Sequence, residues 1–235
     1  MTRTAAPPKS PKWRRQPEAR PQQIIEAALE VFGECGLAKT RLQDIAKRAG
    51  VSKGTIYLYF PNKEELFREM IRQTAIAAIE TGERVTTQGT AAEQLRTVIR
   101  GYWHFVRTPA FWTIYRLVIG ELHQFPDLAE FYATEVIARG QNLFSGIIRR
   151  GIEAGEFRDV DPKVAARMII AIVIQNGIWR AYPTKVPILC HLHDDEVFRE
   201  MAHFYLHSLK ISDVACAQAD GAPSDPVSFL LSDND

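Results

Sequence analysis

Apolar residues recur every three or four positions along most of this chain, and strict alternation of apolar and polar residues is not found. Residues 22–35 show the pattern clearly, with an apolar face made of Ile24, Ile25, Ala28, Leu29 and Phe32. Such spacing is typical of amphipathic helices that bury one face. The pattern therefore predicts an all-α protein.

Capping and helix-ending residues divide this pattern into nine predicted helices. Gly36 ends the first helix, Thr40 caps the second, Ser52 caps a short third helix and Asn62 caps the fourth. Gln43 completes a capping box with Thr40. The predicted helices span 22–35, 40–49, 52–57, 63–82, 91–107, 110–123, 127–153, 162–181 and 194–211.

Both ends of the chain lack this periodicity. Residues 1–20 are rich in Pro, Lys and Arg, and residues 212–235 are rich in Ala, Asp, Ser and Pro, so both are predicted to be disordered. Between them we expect a small head over 21–67 and a larger helical body over 68–211.

The composition is that of an ordinary globular protein, with 46% hydrophobic and 24% charged residues in a chain of 235. No apolar run approaches the roughly 20 residues that span a bilayer, and no apolar segment follows the basic N-terminus as a secretory signal would. Three cysteines at no useful spacing favour reduced thiols. We expect a cytoplasmic protein with no membrane association.

Charge is distributed unevenly along the chain. Residues 1–72 hold 14 Lys and Arg against 8 Asp and Glu, a net charge of +6, and the remaining residues hold 15 against 20, a net charge of −5. A basic first third before an acidic remainder indicates a polyanion-binding head on a body with another role.

The head also contains the pattern of a helix-turn-helix motif, in which a short turn with Gly joins two short helices. Ala46 is small where the second helix approaches the third, and Gly50 suits the turn because it adopts positive φ freely. Val51 and Ile56 are apolar where they must pack inward. The alternative is an ordinary helical hairpin with a few surface lysines.

Side chains on the outer face of the third helix are candidates for DNA contact. Lys53 and Thr55 are placed to reach base edges, Tyr57 to bond a phosphate oxygen, and Lys63 to contact the backbone and set register. The full predicted set is Thr40, Arg41, Ser52, Lys53, Gly54, Thr55, Tyr57, Tyr59 and Lys63. Phe60 is predicted to hold the head together from inside.

The stretch "TRLQDIAKRAGVSKGTIYLYFPNKEELF", preceded by "IIEAALEVFGECG", resembles the N-terminal pattern of the TetR family of bacterial transcription regulators. Leu58 departs from that pattern, since family members often carry a polar or aromatic residue there. The resemblance implies a three-helix DNA-binding head, a ligand-binding helical body, and a homodimer built on the last two helices. Dimeric regulators of this kind bind palindromic DNA.

The basic arm at 1–20 has two interpretations. Its cations, among them Lys12, Arg14, Arg15 and Arg20, either add contacts to DNA or belong to a solvated tail.

The body carries many aromatic residues, most of which we expect to fill the core. Trp and Tyr also suit ligand cavities because each has a polar atom on an apolar ring. The candidates for pocket lining are Trp103, Tyr115, Phe144, Asn176 and Trp179. The candidates for subunit contact are Met168, Ile169, Ile172, Phe198, Met201, Tyr205 and Leu209.

The histidines allow a metal hypothesis, which we do not favour. Cys190, His191 and His193 lie close in sequence, and His203 and His207 are four residues apart on one predicted helix. No spacing completes a set of four ligands. No nucleophile with a base and no phosphate-binding Gly loop is apparent either, so neither a cofactor nor an enzyme active site is predicted.

Together these features predict a transcriptional regulator that binds double-stranded DNA as a homodimer and responds to a small, mostly apolar ligand. A repressor released by that ligand is the favoured form. The alternative is a structural DNA-bound factor of the same fold with no inducer.

Overall fold

A computed structural model describes residues 20–85, 88–181 and 192–210. Across these residues the regular structure is helical, and a single isolated β-bridge joins Phe157 to Lys210. The all-α prediction is confirmed. The arm and tail predicted at 1–20 and 212–235 lie outside the described residues, apart from Arg20.

Three helices form the head, and a fourth leads out of it. They are α1 (Arg20–Cys35), α2 (Leu42–Arg48), α3 (Lys53–Tyr59) and α4, which runs as Lys63–Ile71, a π-helical segment Arg72–Ile76 and Ala77–Val85. Gly36 ends α1 with a φ of +80°, and Gly50 turns the chain before α3 with a φ of +65°. Ser52 and Asn62 cap α3 and α4 as predicted.

The start of α2 differs from the prediction. Thr40 is only 3% exposed, and its hydroxyl donates to the carbonyl of Gly36 at 2.5 Å. It therefore closes the end of α1 instead of capping α2, which begins at Leu42 with no side-chain capping bond from Arg41. The reason is that the chain folds back after Gly36, which the spacing of a capping box does not reveal.

Five further helices form the body. They are α5 (Ala91–Val106), α6 (Pro109–Gly120), α7, which runs as Pro126–Tyr132, a π-helical segment Ala133–Ala138 and Arg139–Glu153, α8 (Pro162–Ala181) and α9 (Asp194–Leu209). A short 3-10 turn, Leu122–Gln124, separates α6 from α7. Thr90 and Thr108 cap α5 and α6, and Pro109 opens α6.

Two apolar clusters form the core. One combines the buried faces of the head with Ile114, Leu117 and Leu128 of the body. The other lies among α5, α7, α8 and α9 and includes Phe111 of α6. Phe105 packs against both clusters. The head is therefore packed against the body without a break. None of the described helices combines the length and the apolar character needed to cross a bilayer.

Candidate functional site

Helix α3 is held to the head by one side and leaves the other open. Ile56 is its fully buried residue. At the start of the helix, the Ser52 hydroxyl accepts a hydrogen bond from the Thr55 backbone N–H at 3.1 Å and lies 2.8 Å from the Thr55 hydroxyl. These contacts fix the first turn, so Lys53 and Tyr57 project outward from a rigid frame.

Large side chains on this short helix remain open to solvent. Tyr57 is 45% exposed, Leu58 85% and Tyr59 37%. A cluster of exposed apolar and aromatic groups on one small element is characteristic of a surface that another molecule covers. Phe60, by contrast, is buried, which confirms its predicted place in the core of the head.

Gly54 has no structural reason inside the protein to be glycine. A Cβ added there would meet only the Ser52 hydroxyl oxygen, at 3.8 Å, and its φ is not in the left-handed region. The missing side chain instead leaves the backbone of the first turn accessible from outside. Gly54 thus permits close approach of a partner to α3.

The ammonium of Lys63 points into the head. It donates to the carbonyls of Leu37 and Ala38 at 2.8 Å each and of Thr40 at 3.3 Å, which uses its three N–H donors. It also lies 5.7 Å from the centre of the Phe125 ring. Lys63 therefore closes the loop between α1 and α2, and its predicted contact with DNA phosphate is replaced by this internal role.

A shallow cleft of about 380 Å³ lies beside α3, between the starts of α2 and α4. Arg41 and Tyr57 stand on its rim with Asn62 and Glu64. Arg41 and Lys53 are exposed, and within the described part of the chain neither forms an ion pair. Both cations are consequently available to a polyanion at this face. The buried side chain of Thr40 is not available for such a contact.

Another cation of the head has a structural role. Arg48 of α2 bonds Glu30 at 2.8 Å and Glu34 at 2.7 Å, both on α1. The hydrogen bond from Arg48 lowers the pKa of the Glu34 carboxyl, and the two carboxylates raise the pKa of Arg48. This triad fixes α2, and with it α3, against α1.

The body contains a cluster of aromatic rings contributed by α5, α6 and α7. Tyr102 meets Phe144 edge-on, with ring centres 5.9 Å apart. On α6, Tyr115 stacks on Phe111 at 5.6 Å and meets Trp112 edge-on at 6.0 Å. Of the predicted pocket residues, Tyr115 and Phe144 thus belong to this cluster.

Three phenols and one indole N–H lie in this aromatic cluster. The phenols of Tyr102, Tyr115 and Tyr132 are close enough to influence one another electrostatically. Burial raises the pKa of Tyr102 well above its usual range and that of Tyr132 to about 12. The indole N–H of Trp112 is also buried with no acceptor among the described residues. The cluster therefore offers hydrogen-bond donors in apolar surroundings.

The other three predicted pocket residues lie elsewhere. Trp103 is buried in the second core cluster, and its indole N–H donates to the Asp194 carbonyl at 3.2 Å. The Asn176 amide donates to the Ile172 carbonyl of its own helix at 2.9 Å. Trp179 lies on the exposed face of α8. None of the three belongs to the aromatic cluster, because a helical period does not say which face turns inward. Their predicted ligand contacts stay predictions.

An apolar surface runs along the outer side of the last two helices. Its exposed members are Val164, Met168, Ile172, Trp179 and Phe204. Met168 and Ile172 match the residues predicted for subunit contact. Ile169, Met201, Tyr205 and Leu209 are instead buried within the chain's own core, and Phe198 is half-buried against it. Neighbouring positions on a helix point about 100° apart. The sequence pattern did not distinguish the positions that face outward from those that face the core.

The metal hypothesis gains no support from the described residues. His203 and His207 stack with ring centres 5.8 Å apart, but no three His, Cys, Asp or Glu side chains of the described part come close enough to hold an ion. Cys190 and His191 lie outside it.

Family models match both parts of the chain. Residues 24–70 match the bacterial regulatory proteins of the tetR family, and residues 93–185 match the C-terminal domain of AefR-like transcriptional repressors. The fatty acid metabolism regulator protein of Bacillus subtilis is 32% identical over 161 residues, which cover 68% of this chain and 82% of that protein. The chain belongs to the TetR family.

Solved structures share this fold, and a further relative matches part of the chain. FadR of Bacillus subtilis, solved in complex with stearoyl-CoA, has a TM-score of 0.62 and 26% identity and covers 80% of this chain and 98% of its own. A putative regulator of Saccharomonospora viridis, solved with choline, has a TM-score of 0.67 and 24% identity over 84% of this chain and all of its own. The probable acrEF/envCD operon repressor of Escherichia coli is 49% identical over 49 residues, 21% of this chain and 22% of that protein.

The predicted function of a ligand-responsive DNA-binding transcriptional regulator is thereby confirmed for this TetR-family chain. The alternative of a structural DNA-bound factor is not favoured, because relatives with an assigned role are regulators or repressors. The family is one of transcription regulators and not of enzymes.

In this TetR-family regulator, side chains at the C-terminal end of α6 form hydrogen bonds with the head. The Glu121 carboxylate accepts the Ala38 backbone N–H at 2.8 Å, and the Arg116 guanidinium donates to the Gly33 carbonyl. A Cβ on Gly36 would lie only 2.2 Å from a Glu121 oxygen. The absence of a side chain at Gly36 therefore lets α6 approach the end of α1.

Sequence reasoning missed the residues that connect these regions. Tyr102, Trp112 and Tyr132 were counted as general core aromatics, and Glu121 was not noted at all. A signal was present for Trp112, Glu121 and Tyr132, since all three lie in the stretch "FWTIYRLVIGELHQFPDLAEFY", which resembles the bodies of efflux-type repressors. The contacts of these residues with groups far away in the sequence could not be predicted from any local pattern.

Proposed function

We propose that this protein is a homodimeric repressor that binds a palindromic operator through α3 and leaves it when an acyl-chain ligand occupies the body. The observation that supports the DNA contact is the outer face of α3, where Lys53 and Tyr57 are exposed around an unobstructed Gly54. Thr55, whose hydroxyl meets that of Ser52, reads base edges beside Lys53. Arg41 and Tyr59 contact the flanking phosphates.

The effector site is assigned to the aromatic cluster of α5, α6 and α7. Half-buried phenols, and an indole N–H with no acceptor among the described residues, suit a ligand with an acceptor such as a carbonyl on a long apolar body. Two π-helical segments, Arg72–Ile76 and Ala133–Ala138, lie in the helices that border this region, and such segments often mark functional sites. The stearoyl-CoA complex of the Bacillus subtilis relative supports an acyl ligand.

The homodimer is assigned to α8 and α9. Met168 is 61% exposed and Phe204 62%, and Val164 and Ile172 extend the same apolar surface. Exposed apolar area of this kind is stabilised when a second copy covers it. Two-fold symmetry then presents two α3 helices to successive major grooves of one operator.

Coupling between the two sites runs through α6. Trp112 and Tyr115 of this helix contact the proposed ligand, and its last residues hold Ala38 and Gly33 of the head. A ligand that binds better when α6 is displaced lowers the affinity of the head for DNA by the same free energy. The head is taken as residues 21–67 and the body as 68–211, and the protein acts in the cytoplasm.

Binding of the purified protein to DNA from upstream of its own gene, measured by fluorescence anisotropy, tests this proposal. Stearoyl-CoA, stearate and choline are added separately to the complex. Release by the two acyl compounds at micromolar concentration, and none by choline, is the expected result. Release by choline alone would contradict the assigned ligand class, and binding without release by any effector would contradict the induction mechanism.

A further inference from the structure

A second cavity of about 610 Å³ opens between α5 and α9, away from the aromatic cluster described above. Its size is within the range of small-molecule sites, about 300–1,000 Å³. The residues that line it are mostly basic or aromatic: Arg96, Arg100, Trp103, His104, Arg107, Asp195, Phe198, Arg199, Ala202 and His203. The function outlined above uses none of them.

Cations form a continuous edge on each wall of this groove. Arg96, Arg100 and Arg107 are four and seven residues apart, which places them on one side of α5 over an axial rise of roughly 16 Å. Arg199 and His203, four apart on α9, stand opposite. Four arginines face one carboxylate, that of Asp195, so the formal charge of the lining is +3 with neutral histidines.

Most of this charge is not neutralised by the residues that the structure describes. Arg107 pairs with Asp194, which also bonds Arg180 at 2.9 Å. Arg96, Arg100 and Arg199 form no ion pair with any described residue, whereas Arg48 and Arg139, elsewhere in the chain, are paired with glutamates. Unpaired like charges repel one another, so their collection in one groove does not serve stability.

The floor of the groove is aromatic. The Arg100 guanidinium lies over the Phe198 ring at 4.8 Å from its centre, and that of Arg107 over Trp103 at 5.5 Å. Flat cationic groups on aromatic faces are suited to recognise a flat ring that carries anionic groups. Double-stranded DNA is too wide to enter a groove between two packed helices.

We propose that the groove between α5 and α9 binds a phosphate-bearing small molecule of nucleotide size, with the phosphates on Arg96, Arg100 and Arg199 and the ring beside Phe198. The groove stays accessible in the proposed dimer, because Arg199 lies about 140° around α9 from Phe204 at 100° per residue. Binding at this site does not depend on the repressor proposal, since it is measured without DNA.

Isothermal titration of the full chain with ATP, inorganic pyrophosphate and adenosine tests the assignment. We expect ATP to bind, pyrophosphate to bind more weakly because it lacks the ring, and adenosine not to bind. Arg96→Gln and Arg199→Gln each weaken ATP binding by roughly tenfold, as the loss of a charge-assisted hydrogen bond predicts. Arg149→Gln is the matched control, because Arg149 is 67% exposed on α7 and outside the groove.

Three results would overturn the proposal. They are no heat with either ATP or pyrophosphate, ATP binding unchanged in Arg96→Gln and Arg199→Gln, and an equal loss in Arg149→Gln. The groove would instead be assigned to nucleic acid if a random DNA duplex displaced ATP and if Arg96→Gln weakened binding of that duplex as much as it weakens binding of ATP. Circular dichroism of each variant, expected to match the unmodified protein, excludes loss of folding as the cause.

Discussion

The Glu121 carboxylate accepts a hydrogen bond from the backbone N–H of Ala38 at 2.8 Å, across a gap of 83 residues in sequence. This bond joins the residue that directly follows α6 to the loop that follows α1. Because α6 also carries Trp112 and Tyr115, one helix contacts both the proposed ligand and the head. The position of the head is therefore linked directly to the aromatic cluster.

Replacing Glu121 by Ala should weaken this link without destroying the DNA-binding surface. We expect operator affinity in the absence of ligand to stay within about threefold, and the ratio of affinities without and with stearoyl-CoA to fall by at least about fivefold, a typical lower bound for allosteric coupling. Anisotropy titrations in both conditions give the ratio. Glu130→Ala, an exposed glutamate of α7, is the control. An unchanged ratio in Glu121→Ala would show that coupling takes another route.

Gly54→Ala should change the stability of the protein and its affinity for DNA in opposite directions. The added methyl meets nothing closer than 3.8 Å and replaces glycine in a helix, so the free energy of unfolding should rise by up to about 1 kcal/mol. Operator affinity should fall by at least about tenfold, because the methyl occupies the space that DNA needs. The control is Gly101→Ala, at an exposed helical glycine of α5 with nothing within 4 Å of the added methyl. It should raise the free energy of unfolding by a similar amount and leave operator affinity unchanged. Full affinity in Gly54→Ala would remove Gly54 from the interface.

Lys63 and Lys53 should respond oppositely to replacement by Met. Lys63→Met leaves three carbonyls without their cation and should lower the free energy of unfolding by about 1–3 kcal/mol. Lys53→Met should leave stability within about 0.5 kcal/mol but weaken specific operator binding by about 1–3 kcal/mol, because Lys53 is assigned to base edges. Urea unfolding and anisotropy across a salt series measure the two effects. Equal stability losses would contradict the internal role of Lys63.

The helical pattern of the chain predicted most of the fold. Helix ends were predicted correctly where a single residue determines the local backbone conformation. Gly36 and Gly50 adopt positive φ, and Ser52 and Asn62 cap their helices. The prediction failed at Thr40, because its hydroxyl finds a carbonyl at Gly36 that only the folded loop brings near.

The DNA-binding surface was also largely predictable, since it lies on one short helix whose inward residue, Ile56, is evident from the pattern. Lys63 was the exception, because the acceptors for its ammonium are 23 to 26 residues earlier in the chain. The effector cluster was less predictable still. It combines α5, α6 and α7, and no single-helix period reveals that Tyr102, Tyr115 and Tyr132 converge.

The dimer surface is tested by placing a charge in its apolar centre. Met168→Asp and Phe204→Asp should each convert the dimer to monomer at micromolar concentration, because an unpaired carboxylate would be buried at the interface. Sedimentation equilibrium measures the mass. Ile119→Asp is the matched control, since Ile119 is 69% exposed on α6 and lies outside this surface. Dimers in all three variants would assign the interface to another face.

The most direct test of the whole account is anisotropy of the full-length protein on DNA from upstream of its own gene, compared with Lys53→Ala and Tyr57→Ala. We expect specific binding by two or more chains per site, a clear loss in both variants, and release by an acyl ligand. Weak binding to every DNA sequence, with neither substitution changing it, would contradict the claim that α3 reads the operator.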